Sequence, residues 1–339
     1  MRTFMGAARA VAAVALIAAA TSARAEDYPA RDISVVVVWA AGGGTDTVNR
    51  LIAAEMQQHL PVRINVVNRT GGVGGSAGMS FVYGQPADGY TLAGISESNV
   101  AAGVQGGWDQ RFEVWQPFIV GGSPDLVSVS ANAPYQTLKE LIEAAKAKPS
   151  EIRAGASAAG SIHHLNLLAL EKGTGAKFNY IPYDGSALAQ NAAVSGEVAV
   201  VVTSLAEQQQ LIRAKRLRPL AMLTPNAVSV EGIGEVPSAF ADFPDLKEHL
   251  PIQQAIGFAV RADVPDAVKK TLTDAFDKAV QSERVKGWAA QNFYEISGKS
   301  GDAAREEFQR LESLFAWTLH ELGAATVSPE KLGIPKPAE

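Results

Sequence analysis

The residues best suited to chemistry gather at turns where a strand pattern gives way to a helical one. The first such turn reads Trp39-Ala40-Ala41-Gly42-Gly43-Gly44-Thr45-Asp46 and follows four consecutive valines. Glycines leave backbone N–H groups uncovered, and at a helix N-terminus those groups and the helix dipole attract a carboxylate or phosphate. The same glycines would also suit a turn that is merely tight. Ala41, Gly42, Gly43 and Thr45 are the contact candidates here. Asp46 fits an N-cap or first-turn residue that braces the loop. Trp39, at the strand end, would either wall a ligand site or pack in the core.

The second turn, from Asn68 to Gly78, imitates two enzyme motifs. Gly72-x-Gly74-x-x-Ala77 approximates a dinucleotide fingerprint, but the next strand ends in Ser96 rather than in a ribose-binding acid. Gly74-Gly75-Ser76-Ala77-Gly78 matches the G-x-S-x-G elbow, yet several loop residues separate Ser76 from its strand and no histidine stands out as a partner. A periplasmic serine hydrolase using Ser76 is therefore the weaker alternative, and Gly74 and Ser76 are read as ligand contacts. Ser96 ends the third strand. Ser157-Ala158-Ala159-Gly160-Ser161-Ile162-His163-His164 is another cradle-like turn, contributing Ser157 and Ser161. Its adjacent histidines cannot share one helix face, so no metal site is expected. His164 is expected to face the ligand and His163 to be surface or core. Asp184 and Thr203 sit at two further strand ends. Together these turns offer neutral donors and almost no charge, which favours binding over catalysis and calls for no cofactor.

The elements that carry these turns alternate. Residues 33–38, 64–67 and 90–95 read as strands, with helices at 47–59 and 76–83. The rhythm restarts after Pro124, with strands at 126–129, 152–156, 178–181, 198–202 and 217–223. Thr137 and Glu140 have capping-box spacing at the start of a helix to Ala147. Further helices read at 162–172, 187–195 and 205–215. Residues 224–253 are loop-like, 255–260 strand-like, and 267–282, 284–292 and 303–322 helical, with a short strand at 294–297 and a proline-rich surface tail from 328. Such a βαβα pattern predicts an α/β protein with parallel sheets flanked by helices. Ligands in such sheets sit beyond the carboxyl ends of strands, where all the turns above lie.

Composition narrows the class. Residues 1–25 carry arginines, an apolar run and Ala23-Arg24-Ala25, which predicts a cleaved secretory signal ending at Ala25 and a periplasmic mature protein. Its removal takes the formal charge from −5 to −8, because it holds three arginines and no acid. A mildly acidic chain without a basic block is a poor match for nucleic acid or an anionic membrane. The absence of cysteine excludes disulfides, thiolate nucleophiles and cysteine metal sites.

Taken in order, Tyr28-Pro29, the Ala40–Asp46 turn, Asn68-Arg69 with its glycines, Ala87-Asp88-Gly89-Tyr90-Thr91-Leu92 and Tyr180-Ile181-Pro182-Tyr183 resemble the periplasmic solute-binding proteins of tripartite tricarboxylate transporters, the Bug family, over residues 28–322. The resemblance implies a two-lobed periplasmic-binding-protein (Venus-flytrap) fold. Lobe 1 would comprise residues 26–122 plus 254–339, and lobe 2 residues 123–253. It also implies an organic acid held by backbone amides of the first two glycine loops and delivery to the transporter's membrane subunits, while a monomer is the default expectation. A ligand-sensing partner of a membrane histidine kinase would share the fold. Three positions depart from the family pattern. Trp39 replaces Phe or Tyr, Asp184 replaces a frequent Lys, and Ala255 replaces a frequent Trp. The lost lysine points away from tricarboxylates, towards a mono- or dicarboxylate, including an aromatic one stacked on Trp39.

Overall fold

Consecutive valines need cover on both faces, and the strand they form receives it. In a computed structural model that describes residues 28–248, 250 and 254–337, β1 (Ile33–Val37) is interior to a six-stranded sheet. It runs parallel to β2 (Ile64–Asn68) and β3 (Thr91–Ile95). The crossovers are α1 (Gly44–Met56), followed by a 3₁₀ turn at Gln57–His59, and α2 (Ser76–Tyr83). The expected signal segment and the expected boundary at Gln253 lie outside the described residues.

The sheet also holds a strand that periodicity does not predict, β4 (Trp115–Gly122). It lies between two strands from the far part of the chain, β12 (Ile256–Arg261) and β13 (Glu295–Lys299), both antiparallel to it. Proline argues against a strand interior, but Pro117 is tolerated because β13 pairs with β4 only over Ile119–Gly122. The order is β13-β4-β12-β3-β1-β2, so the sheet is mixed rather than wholly parallel. Stacked Phe118 and Phe258, with ring centroids 4.7 Å apart, and edge-on Phe276 fill its core beneath α8 (Asp266–Val280). α9 (Glu283–Gln291) and α10 (Gly301–Glu321) complete this lobe.

The chain leaves through Ser123-Pro124 into a second sheet, β5 (Asp125–Ser130), β6 (Arg153–Ser157), β7 (Asn179–Tyr183), β8 (Val200–Ser204) and β9 (Leu217–Met222). Its order is β7-β6-β8-β5-β9, with β6 parallel to β7 and β8 and β5 antiparallel to β8 and β9. Helices α3 (Leu138–Ala147), α4 (Ile162–Thr174), α5 (Ser186–Ser195) and α6 (Leu205–Arg213) cover it. Thr137 caps α3 by accepting from the Glu140 N–H, as the spacing predicts. The stretch read as loop contains a hairpin, β10 (Val228–Val230) with β11 (Gly234–Val236), and a short helix, α7 (Ala239–Asp242). Nor does the tail lie loose on the surface. Ile334 is buried, and the Trp317 indole donates to the Ile334 and Pro335 carbonyls.

Candidate functional site

The turn after β1 makes a helix start earlier than its residue types suggest. Gly43 is the N-cap, and α1 begins at Gly44 rather than at Asp46 or Thr47. Uncapped first-turn N–H groups are anion receptors. The Gly44 N–H donates to Glu207 Oε1 at 2.7 Å, across the cleft from the second lobe. A Cβ at Gly44 would stand 2.9 Å from that oxygen, so a side chain here would force the carboxylate to shift. Asp46 stays inside its own loop. It accepts from the Gly42 N–H at 2.9 Å and from Asn68 Nδ2 at 2.9 Å, and it pairs with Arg50. Burial opposes its ionisation, but Arg50, Gly42 and Asn68 together hold its carboxyl below the usual range.

The second glycine turn faces elsewhere. Gly74, with φ +60°, packs its Cα against Ala102, where a Cβ would lie 3.0 Å away, and its carbonyl accepts from Asn99. Ser76 is buried beside it, outside the cleft, with no hydrogen bond to a histidine among the described residues. The turn after β3 does reach the cleft. Ser96 caps the 3₁₀ segment Glu97–Ala102, and Glu97 is 1 % exposed. Its carboxylate accepts from Ser98 Oγ and from the Ala255 N–H, each at 2.7 Å. Burial raises its pKa, only partly offset by those two bonds.

In the second lobe Ser161 caps α4 by accepting from the His164 N–H at 3.2 Å. It is His163, not His164, that reaches the cleft. His163 Nδ1 donates to Asp125 Oδ2 at 2.7 Å, and Nε2 lies 3.5 Å from Glu207 Oε2. Burial alone would push this imidazole down. The charge of Asp125 and its hydrogen bond, then Glu207 and Glu97, outweigh burial and raise the pKa to about 9. His164 stacks on Tyr180 with centroids 4.1 Å apart, accepts from the Gly160 N–H, and is held neutral by burial at about 4. Glu207 is fixed at its own helix start by a reciprocal capping box with Ser204.

These groups enclose an interlobe cavity of about 30 Å³, enough for a water molecule and too small for an organic solute. Trp39, Gly43, Thr45, Ser96, Ser157 and Ser161 line it among the expected residues. Ala41, Gly42, Asp46, Gly74, Ser76, His164, Asp184 and Thr203 do not. Asp184 is exposed, although its backbone carbonyl accepts from the Ala40 N–H across the cleft at 3.1 Å. Thr203 is fully buried and bonds Gln190. The expectation of a nearly uncharged site is corrected, because Glu97, Glu207 and His163 all face the cavity, with Asp125 directly behind. The Trp39 indole N–H and the Tyr294 hydroxyl are buried without partners among the described residues. One signal for Glu207 was in the sequence. Ser204-x-x-Glu207 is capping-box spacing, which turns the carboxylate back to the cleft-facing end of β8. Nothing in the sequence joins Glu97 to it.

Further bonds cross the cleft, from the Ile162 N–H to Ser98 Oγ at 2.9 Å and from Gln209 Nε2 to Asn292 Oδ1 at 2.7 Å. The lobes are closed on each other.

Several known proteins are similar to this chain in sequence or in fold. BugT of Bordetella pertussis is 34% identical over 217 residues, 62% of this chain and 66% of that protein, so the match spans just under two thirds of its length. Among solved structures, "R. palustris Rpa4515 with adipate" superposes with a TM-score of 0.77 at 25% identity, covering 88% of this chain and 99% of that one. MatC (Rpa3494) from Rhodopseudomonas palustris with bound malate has the same fold, with a TM-score of 0.74 at 22% identity over 85% and 100% of the two chains. No helix among the described residues is long and apolar enough to cross a membrane. The family described as "Tripartite tricarboxylate transporter family receptor" matches residues 48–305, and this chain belongs to it.

Proposed function

We propose that this protein is an exported periplasmic receptor. It closes its two lobes on a small organic carboxylate and presents the complex to the membrane subunits of a tripartite tricarboxylate-type transporter. One observation carries the reading. The Gly44 N–H at the start of α1 already holds a carboxylate, that of Glu207, at 2.7 Å while the lobes are shut. A site that receives a protein carboxylate in this way has the donor geometry to receive a solute carboxylate in its stead. Membership of a receptor family supports the reading, as does the adipate held by a relative of the same fold. Ser76 lies outside the cavity, which favours binding without turnover. Aromatic and aliphatic mono- and dicarboxylates remain the expected class, with Gly43, Thr45, Ser96, Ser157 and Ser161 as the surrounding contacts.

The test is a thermal-shift screen of the mature protein against mono-, di- and tricarboxylates. A solute at a hundred times its Kd that binds only the folded form adds about 2.7 kcal/mol of stability. A sharp rise in midpoint with one subset is the expected result. A flat response across the panel would count against a carboxylate receptor.

A further inference from the structure

The bond between Gly44 and Glu207 joins the two lobes through the atoms that a ligand must use. A solute carboxylate that takes the Gly44 N–H has to displace Glu207 Oε1. The Glu207 side chain is only 7 % exposed, and its other oxygen is held by Ser204 and faces His163. The released oxygen would then lie beside the incoming carboxylate in a closed, water-poor space, where like charges repel strongly. His163, an imidazolium beside Glu207 Oε2, already offsets one of these charges and brings no second cation. Its Nδ1 is committed to Asp125 and its Nε2 already faces Glu207. Across the cavity stands a buried acid, Glu97, which among the described residues accepts from Ser98 Oγ and the Ala255 N–H. Among the described residues, no lysine or arginine lines the cavity. A plain carboxylate would therefore raise the negative charge of a site that already contains more acids than bases.

We propose that the solute is a zwitterion. Its carboxylate replaces Glu207 on the Gly44 amide, and its cationic nitrogen is received by the freed Glu207 together with Glu97. Such a molecule satisfies both halves of the bond it breaks, whereas a carboxylate or an amine alone satisfies one. The wall of the cavity is equipped for both ends. Trp39, 7 % exposed, lines it and carries an indole N–H. That group, without an acceptor among the described residues, suits the solute's carboxylate, while the ring face is an attractive neighbour for a cation. The proposal rests on the carboxylate-receptor reading above and narrows its substrate class to amino-carboxylates and their N-alkylated forms.

The experiment is isothermal calorimetry at pH 7 with matched pairs that differ only in the nitrogen. The pairs are succinate and aspartate, glutarate and glutamate, and butyrate and 4-aminobutyrate, with butylamine as the amine-only probe. At least one amino-bearing member should bind at least tenfold more tightly than its twin. Glu207→Gln, which keeps the capping geometry, should weaken that member at least tenfold and shrink the difference within the pair. Glu97→Gln, a second variant that tests the opposite wall, should act in the same direction. Unchanged circular dichroism identifies folded variants. Tight binding of succinate, glutarate or butyrate with no gain from nitrogen would overturn the zwitterion proposal and leave the carboxylate receptor standing. Binding of butylamine alone, or of no member of any pair, would overturn both.

Discussion

His163 is the residue whose surroundings most change its behaviour. It is enclosed by Asp125, Glu207 and Glu97, with the Tyr294 hydroxyl near the same three acids. A histidine whose folded pKa rises from 6.5 to about 9 stabilises the fold fully below pH 6.5, and that contribution fades as pH climbs through 9. The thermal midpoint should therefore fall between pH 6.5 and pH 9, and His163→Gln should flatten the slope. A wild-type midpoint that holds level over that window would refute the imidazolium. The expectation from sequence chose His164 over His163, although two neighbouring histidines on a helix differ only in which face each presents. What separates them is tertiary, with Tyr180 stacking on one and Asp125 bonding the other. The same limit applies to Glu97. Its residue type was visible, but its position opposite Glu207 depends on how the lobes meet. Glu207 itself was half legible, since its spacing from Ser204 sets its direction but not what it faces.

At the scale of elements, the start of α1 decides the site. Glycines hide a helix boundary, because they favour neither helix nor loop by type, and the helix begins at Gly44 rather than at the first good helix former. Gly44→Ala separates structure from function. Alanine is the better helix residue by up to about 1 kcal/mol, so circular dichroism should be preserved. Its Cβ would nevertheless meet the carboxylate on that amide, and affinity for any solute bound there should drop at least tenfold by calorimetry. Undiminished affinity would mean the ligand sits elsewhere. Most other elements were readable from period and β-branching alone. β4 was not, because Gln116 and Pro117 interrupt its apolar run and its partners, β12 and β13, arrive from more than a hundred residues away. Those late antiparallel partners also explain why a parallel sheet was expected and a mixed one is found. The β10–β11 hairpin escaped notice because three-residue strands leave almost no alternation to read.

The molecule is two lobes, each built on one large sheet, joined near Ser123 and again just before Ile256, with polar bonds from both lobes converging on one small cavity. Closure is held by the Gly44, Ser98 and Gln209 contacts and by the Ala40 amide bonded to the Asp184 carbonyl. A bound solute must replace the first of these, and the lobes must part enough to enlarge a cavity that when closed has room only for a water molecule. That exchange links family membership, the closed lobes and the buried acids into one account. The most direct test is the Gly44 amide itself. In protein labelled with ¹⁵N-glycine and titrated with a solute that raises the thermal midpoint, the Gly44 cross-peak, assigned by its loss in Gly44→Ala, should move with saturation. The peak of Gly287, far along the chain on α9, should stay in place. Saturating binding that leaves the Gly44 resonance unmoved would contradict the claim that a solute carboxylate takes the place of Glu207.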